Sequence, residues 1–198
     1  LYNGTTNDLG GGKKRLQHYG FHAAYGQKFD NISFSIGGGV IDSVYDVDGL
    51  TQAFPAMQTQ PYVFGTSAVA KLGLWGFSLI GEYDQAVRSA RFTQTTVDSE
   101  GDNANTVFRT RPKAWQVEAG YTTDLLFGWK TYAAFNYSNT SGMMGQFPRA
   151  RYLYTVGTWP ADNIRYSFEY GNDQDYSKSQ HGTGRDSDYW TLRLTYEW

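Results

Sequence analysis

The chain of 198 residues contains no cysteine and only three histidines, three methionines and five prolines. The lack of cysteine excludes disulfides, thiolate metal sites and a cysteine nucleophile. No segment approaches the roughly 18 consecutive apolar residues that a membrane-spanning helix needs, which excludes a helical membrane protein. Basic residues are not in excess, since 17 lysines and arginines stand against 19 aspartates and glutamates. The chain therefore lacks the charge of a typical nucleic-acid-binding protein, and we expect no nucleic-acid partner.

Aromatic residues and glycine, by contrast, are abundant. Aromatic residues make up 17% of the chain and glycine occurs 23 times, while the mean hydropathy is −0.55. In the final segment WTLRLTYEW, every second residue from Trp190 to Trp198 is large and apolar or aromatic, and the residues between them are polar. A period of two is typical of a β-strand with one apolar and one polar face.

The same alternation recurs along the chain and predicts nine strands, preceded by a stub at Leu1–Gly4. Short turns with glycine, proline, asparagine or aspartate are predicted at Lys28–Ile32, Ala70–Gly76, Thr123–Trp129 and Trp159–Ile164. Longer polar loops are predicted at Asp42–Gln60, Val87–Arg111, Asn139–Gln146 and Asn172–Asp186. Short turns thus fall at one end of the strands and long loops at the other.

This plan favours an all-β fold of one particular kind. We predict a transmembrane antiparallel up-and-down β-barrel with short periplasmic turns and long extracellular loops, in the outer membrane of a Gram-negative bacterium. A soluble β-sandwich or lipocalin-like barrel is the alternative, but its core would favour valine, isoleucine and leucine on strands of about five or six residues. Here the strands run to about ten residues, as a tilted membrane strand requires.

The whole chain, residues 1–198, is expected to form one barrel domain. Because bacterial single-chain barrels have even strand numbers and nine is odd, we expect one or more N-terminal strands to be missing. The final strand is expected to pair and close the barrel, and its terminal aromatic residue resembles the signal that the barrel-assembly machinery recognises. The candidates for membrane-girdle aromatics, in contact with outer-membrane lipid and lipopolysaccharide, are Trp75, Trp115, Trp129, Trp190, Tyr196 and Trp198.

Several segments resemble the C-terminal part of the LbtU family of siderophore porins. They are FGTSAVAKLGLWGFSLIGEYDQA, RPKAWQVEAGYTTD, FPRARYLYTVGTWPADNIRYSFEYGNDQDY and the closing DSDYWTLRLTYEW. The resemblance covers nearly the whole chain in order. It implies an outer-membrane channel for uptake of iron–siderophore complexes without the plug of TonB-dependent receptors. The alternatives are a general diffusion porin for small hydrophilic solutes and a structural or adhesive barrel with a closed lumen.

The polar face of the predicted strands is expected to line the lumen, and it carries charges of both signs. The candidates for the substrate or ion pathway are Arg149, Arg151, Arg165, Arg193, Lys130, Glu82, Asp84, Glu118 and Glu169. The simpler interpretation is that these charges pair across neighbouring strands. The sharper hypothesis is that the four arginines form one basic strip that attracts anionic ferric siderophores.

We expect no enzyme activity, no catalytic residue, no cofactor and no metal site. On a strand, His18 and His22 would lie about 13 Å apart, too far to share a metal ion. Glu82 and Asp84 would lie about 6.6 Å apart on one face, a separation that overlaps glycosidase carboxylate pairs, but no cleft signal accompanies them. The acidic outer loops leave open whether divalent cations bridge loops or lipopolysaccharide.

Overall fold

A computed structural model of the chain describes residues 19–44, 63–97, 103–126, 128–142, 147–180 and 182–196, with side chains for all of these except 90–108, 125 and 126. The strands are Gly20–Phe29 (β1), Ile32–Ile41 (β2), Gly65–Leu74 (β3), Phe77–Ala86 (β4), Ala90–Val97 (β5), Asn103–Thr110 (β6), Lys113–Leu126 (β7), Trp129–Ser141 (β8), Ala150–Ala161 (β9), Ile164–Gln174 (β10) and Asp186–Tyr196 (β11). One short 3-10 turn, Lys178–Gln180, is the other element of the described chain. The predicted all-β class is confirmed. No described helix is long and apolar enough to cross a membrane.

Nine of these strands form one antiparallel sheet in the order β1-β2-β3-β4-β7-β8-β9-β10-β11. Each strand of this sheet pairs with its neighbours in chain order, so the predicted up-and-down plan of nine strands is confirmed. Within the described residues, β11 pairs with β10 alone and β1 with β2 alone. The sheet is therefore open between β1 and β11, contrary to the expectation that the final strand pairs on both sides.

The predicted loop at Val87–Arg111 contains a second, two-stranded sheet, which the sequence analysis does not predict. Strands β5 and β6 pair from Ala90 opposite Thr110 to Val97 opposite Asn103. These strands are rich in threonine, which favours extended backbone but gives no apolar alternation to read from the sequence. The amide of Ala86 donates to the carbonyl of Pro112 at 2.9 Å, which ties the base of this hairpin to the main sheet.

The connections of the main sheet alternate as predicted. Two-residue turns join β1 to β2, β3 to β4 and β9 to β10 at one end of the sheet, here called the turn end, and the longer connections lie at the loop end. Trp75 has a φ of 47° and Gly76 a φ of 87°. Two positive φ values match the primed turns that connect twisted antiparallel strands. Trp75 thus lies in the β3–β4 turn, within the turn predicted at Ala70–Gly76.

The register gives the main sheet one apolar and one polar face. Across the apolar face, Leu72 lies opposite Leu79, and Leu79 opposite Ala119. This face is uncovered, since the side chains of Trp190 and Leu192 are 72% and 71% exposed. The large apolar side chains that are buried in the described chain are confined to Val63 and Tyr176, near the loop end. The sheet therefore forms a single layer without a hydrophobic core beneath it.

Aromatic side chains on the apolar face form two belts. Near the loop end, the ring of Trp115 lies 5.2 Å from that of Tyr137, which in turn lies 4.9 Å from Tyr152. Near the turn end, Phe77 and Tyr121 lie 4.5 Å apart. The predicted girdle residues Trp115, Trp129, Trp190 and Tyr196 lie on this face with exposed side chains, and Trp75 is exposed in its turn. Trp198 lies outside the described residues.

Candidate functional site on the polar face

Three of the four acidic candidates, Glu82, Asp84 and Glu118, lie on the polar face of β4 and β7. The amide nitrogen of Gln116 donates to Glu82 at 2.6 Å, and Asn136 donates to the carbonyl oxygen of the Gln116 side chain at 3.1 Å. Asn136 also donates to Glu118 at 3.5 Å, and it is only 8% exposed. These side chains form a hydrogen-bonded row across three strands, which fixes the two carboxylates in place.

A groove of about 440 Å³ opens beside this row near the loop end. Glu82 and Asp84 line one side of the groove and His22 of β1 lines the other. Gly39 and Gly65 lie between them, and neighbouring atoms pack closely on both, since a Cβ at Gly65 would lie 2.3 Å from the Val44 side chain and one at Gly39 would lie 2.8 Å from the Phe21 carbonyl oxygen. The groove is therefore a largely apolar recess that has two carboxylates on one wall and an imidazole on the other.

Arg151 of β9 is neutralised by Asp173 of β10. Its Nε and one terminal nitrogen donate to the two carboxylate oxygens at 2.6 and 2.7 Å, a bidentate pair. Its guanidinium also lies over the ring of Tyr189, 5.7 Å from the centroid. Arg149 precedes the strand, is exposed, and donates to the Gln174 side chain at 3.4 Å. Neither arginine offers a free positive charge at the centre of the sheet.

We expect the pair of Arg151 and Asp173 to contribute a coupling free energy of about 1 kcal/mol, because the geometry is bidentate but the side chains are 40% and 18% exposed. A double-mutant cycle with Arg151→Gln and Asp173→Asn, read from urea unfolding in lipid vesicles, measures this coupling. Arg193→Gln combined with Asp173→Asn is the control cycle, and its two effects should add. Equal coupling energies in both cycles would contradict the assignment.

A second basic group lies at the turn end of β8 to β11. The Lys130 ammonium lies 5.1 Å from the ring centroid of Trp159, and the Arg165 guanidinium lies 5.8 Å from the same ring. Tyr132 packs against Trp159 at 5.2 Å between centroids. Arg193 of β11 lies diagonally from Arg165, since Arg165 pairs with Thr195 two positions further along. We call Lys130, Tyr132, Trp159, Arg165 and Arg193 the turn-end cluster.

The predicted strip of four arginines is therefore wrong as a single surface. Arg151 lies opposite Asp173, and positions 173 and 165 on β10 are eight residues apart. Eight residues of strand correspond to about 26 Å, so Arg151 and Arg165 lie at opposite ends of the sheet. Glu169 lies midway between them on the same strand and the same face. The polar face carries acids on β4 and β7 and its unneutralised bases at the turn end of β8 to β11.

The candidates derived from the sequence do not include the aromatic residues of the polar face. Trp159 was assigned to a turn because Pro160 follows it, but β9 continues to Ala161. Tyr132 and Tyr189 cover two buried glycines of the neighbouring strands, since a Cβ at Gly157 would lie 2.2 Å from the Tyr132 ring and one at Gly171 would lie 2.2 Å from the Tyr189 ring. A glycine on a polar strand face is the sequence signal for such an overlying ring.

The loop between β10 and β11 is compact. The Asp175 carboxylate accepts hydrogen bonds from the Thr183 amide at 2.6 Å, from the Thr183 hydroxyl at 2.5 Å and from the Tyr176 amide at 2.7 Å. The buried Tyr176 side chain shares a hydrogen bond of 2.8 Å with the Thr140 hydroxyl on β8. The loop is thereby fastened to the loop end of the sheet.

The hydrogen bonds from Thr183 and Tyr176 lower the pKa of Asp175 below its usual value. A lowered pKa in the folded chain means that the ionised carboxylate stabilises the loop above the unfolded pKa of about 3.9, and that this contribution is lost as the pH falls through the lowered value. We expect the Thr183 amide resonance to titrate with a midpoint below about 3.9. In Asp175→Asn this titration should vanish. A midpoint at or above the usual value would contradict the contacts.

Within the described ranges, no three histidine, aspartate or glutamate side chains gather as metal ligands do. Comparison with models of known protein families, with curated proteins and with solved structures finds no match to this chain. The geometry of the two faces is therefore the basis for any functional assignment.

Proposed function

We propose that the chain forms the wall of an outer-membrane β-barrel whose polar face lines a channel for solutes. One observation carries this proposal: the sheet is a single layer with a continuous uncovered apolar face. Exposed apolar patches on soluble monomers rarely exceed a few hundred Å². In a bilayer, contact with lipid removes this face from water, while the charged face requires water on its own side.

The dimensions of the sheet support the same conclusion. The main strands of 10 to 14 residues correspond to roughly 33 to 46 Å of extended chain. At a tilt of 35 to 45° they cross the apolar band of about 25 Å that outer-membrane barrels present. The two aromatic belts lie where the lipid headgroups would contact them, as in barrels of this kind. Pairing of β1 and β11, directly or through further strands, would satisfy the edges that a membrane does not tolerate open.

Ferric siderophores are the proposed solutes. The resemblance of the strand and turn segments to the LbtU family supports this choice, and so do the unneutralised bases of the turn-end cluster, which attract anions. The second candidate is a general diffusion porin, favoured by the presence of both acidic and basic groups on the polar face. Lipopolysaccharide around the barrel and the barrel-assembly machinery acting on the final strand belong to the same proposal.

Single-channel conductance in planar bilayers tests the proposal, with ferric siderophore added on the side of the long loops. Concentration-dependent block of an open current would support siderophore uptake. An open current that is indifferent to the ligand would leave the general porin. Complete absence of conductance from correctly inserted protein would refute both channels and favour a structural or adhesive barrel.

A further inference from the structure

We infer that the turn-end cluster is a binding site for a small solute that carries two or more oxyanion groups, carboxylate or phosphate. The inference deepens the proposed channel and rests on it, because a channel is what would bring such a solute to this face. The site lies at the end of the sheet opposite the long loops, and it differs from the strip of four arginines that the sequence suggested. Three cations lie on the polar face of three strands at this end, Lys130 and Arg165 against one ring and Arg193 diagonally from Arg165 in the register.

The Trp159 ring holds two of these cations in place. Lys130 and Arg165 approach the Trp159 ring from the two strands that flank it, at 5.1 and 5.8 Å from its centroid. A cation over an aromatic face is attracted by the ring but keeps its N–H donors directed elsewhere. The ring therefore positions the charged groups without consuming their hydrogen bonds.

Neither Lys130, Arg165 nor Arg193 forms an ion pair with another described residue, in contrast to Arg151 with its Asp173 partner. Asp124 at the end of β7 and Asp162 in the β9–β10 turn lie at the same end of the sheet, and neither pairs with these cations. Among the described residues, the three cations of the cluster are therefore without an ion-pair partner.

Arg165 carries a hydrogen-bond donor without a partner in the described chain. The Nε of Arg165 is buried and has no hydrogen-bond partner in the described chain. Burial of a charged donor without a partner is unfavourable, and an oxyanion bound to the rest of the guanidinium would offset part of this cost through its charge. A carboxylate or phosphate oxygen satisfies both the charge and the geometry of a guanidinium. Two such groups on one solute would match the charge of Arg165 together with Arg193 or Lys130.

Isothermal titration of the full chain, folded in detergent micelles, tests the site with citrate and inorganic pyrophosphate as separate probes. Sodium chloride of equal ionic strength is the control for screening. We expect saturable binding of at least one probe, and the tighter one identifies the oxyanion class. The variant Arg165→Gln with Arg193→Gln should weaken binding by at least about tenfold, because each arginine donates a charged hydrogen bond. Arg151→Gln, which removes an arginine at the other end of the sheet, should bind as the original chain does.

Several outcomes would overturn the inference. They are equal affinity in the double variant, loss of binding in Arg151→Gln alone, an equal response to chloride, and no saturable binding of either probe. Lys130→Gln provides a second variant if the double variant does not fold. Binding in micelles needs no open channel, so citrate or pyrophosphate binding without conductance would refute the channel alone. Conductance without binding would refute the site alone.

Discussion

Val156→Arg is expected to destabilise the bilayer-inserted protein by about 2 to 4 kcal/mol, whereas Thr155→Arg should change its stability by no more than about 0.5 kcal/mol. The two residues are neighbours in the middle of β9, both are β-branched, and they lie on opposite faces. Val156 lies between Ala133 and Phe168 on the apolar face and is 51% exposed. Thr155 lies opposite Glu169 on the polar face, where a new arginine gains a carboxylate neighbour.

The pair tests the orientation of the sheet in lipid, because the cost of arginine at the bilayer midplane comes from removing its charge from water. The measurement is the free energy of unfolding in guanidinium chloride from phospholipid vesicles, for both variants. In a soluble protein, an arginine at the half-exposed position of Val156 would change the free energy of unfolding only slightly. Equal stabilities of the two variants would therefore refute a lipid-facing apolar surface, and a greater loss in Thr155→Arg would reverse the assignment of the faces.

Gly157→Ala is expected to cost about 1 to 3 kcal/mol by overpacking. Gly157 is buried beneath Tyr132, and a Cβ there would lie 2.2 Å from one ring carbon and 2.8 Å from the hydroxyl oxygen. The ring is not free to move aside without loss, because it packs on Trp159 at 5.2 Å. Gly81 of β4 is the matched control, since a Cβ there meets nothing within 4 Å.

Unfolding free energies of Gly157→Ala, Gly81→Ala, Tyr132→Ala and the double variant Gly157→Ala with Tyr132→Ala measure this effect. Gly81→Ala should be neutral or slightly stabilising, because alanine restricts the unfolded chain more than glycine. In the double variant, the cost of Gly157→Ala should largely disappear, since the ring that it meets is gone. A cost that persists without the ring would show that the backbone, and not Tyr132, requires glycine.

The strand pattern and the faces could be predicted from the sequence because both depend on a period of two. Leu192 and Arg193 are assigned to opposite faces by position alone, and the register confirms it. Strands β5 and β6 could not be predicted, because threonine and asparagine occupy both of their faces and leave no alternation. Closure of the sheet likewise depends on pairing between strands that are distant in sequence, which local patterns do not encode.

The position of each charge along the sheet could also be predicted in part from the sequence. The hypothesis of a single strip of arginines did not use this information. Arg151 follows a long loop and Arg165 follows a short turn, so the alternation of connections already places them at opposite ends. The pairing of Arg151 with Asp173 and the stacking of Lys130 on Trp159 required the register itself. The register also places Trp159 in the site, although the Pro160 that follows it favours a turn at this position in the sequence.

The chain-order pairing of the main sheet has a consequence for how the protein assembles. Every pairing of this sheet joins strands that follow one another in its order, so each requires closure of only the connection between them and can add a strand to an existing edge. Such growth is local and fast compared with searches for distant partners. In the proposed barrel, the kinetic barrier then falls on one event, the union of the edges at β1 and β11, which is where an assembly catalyst would act.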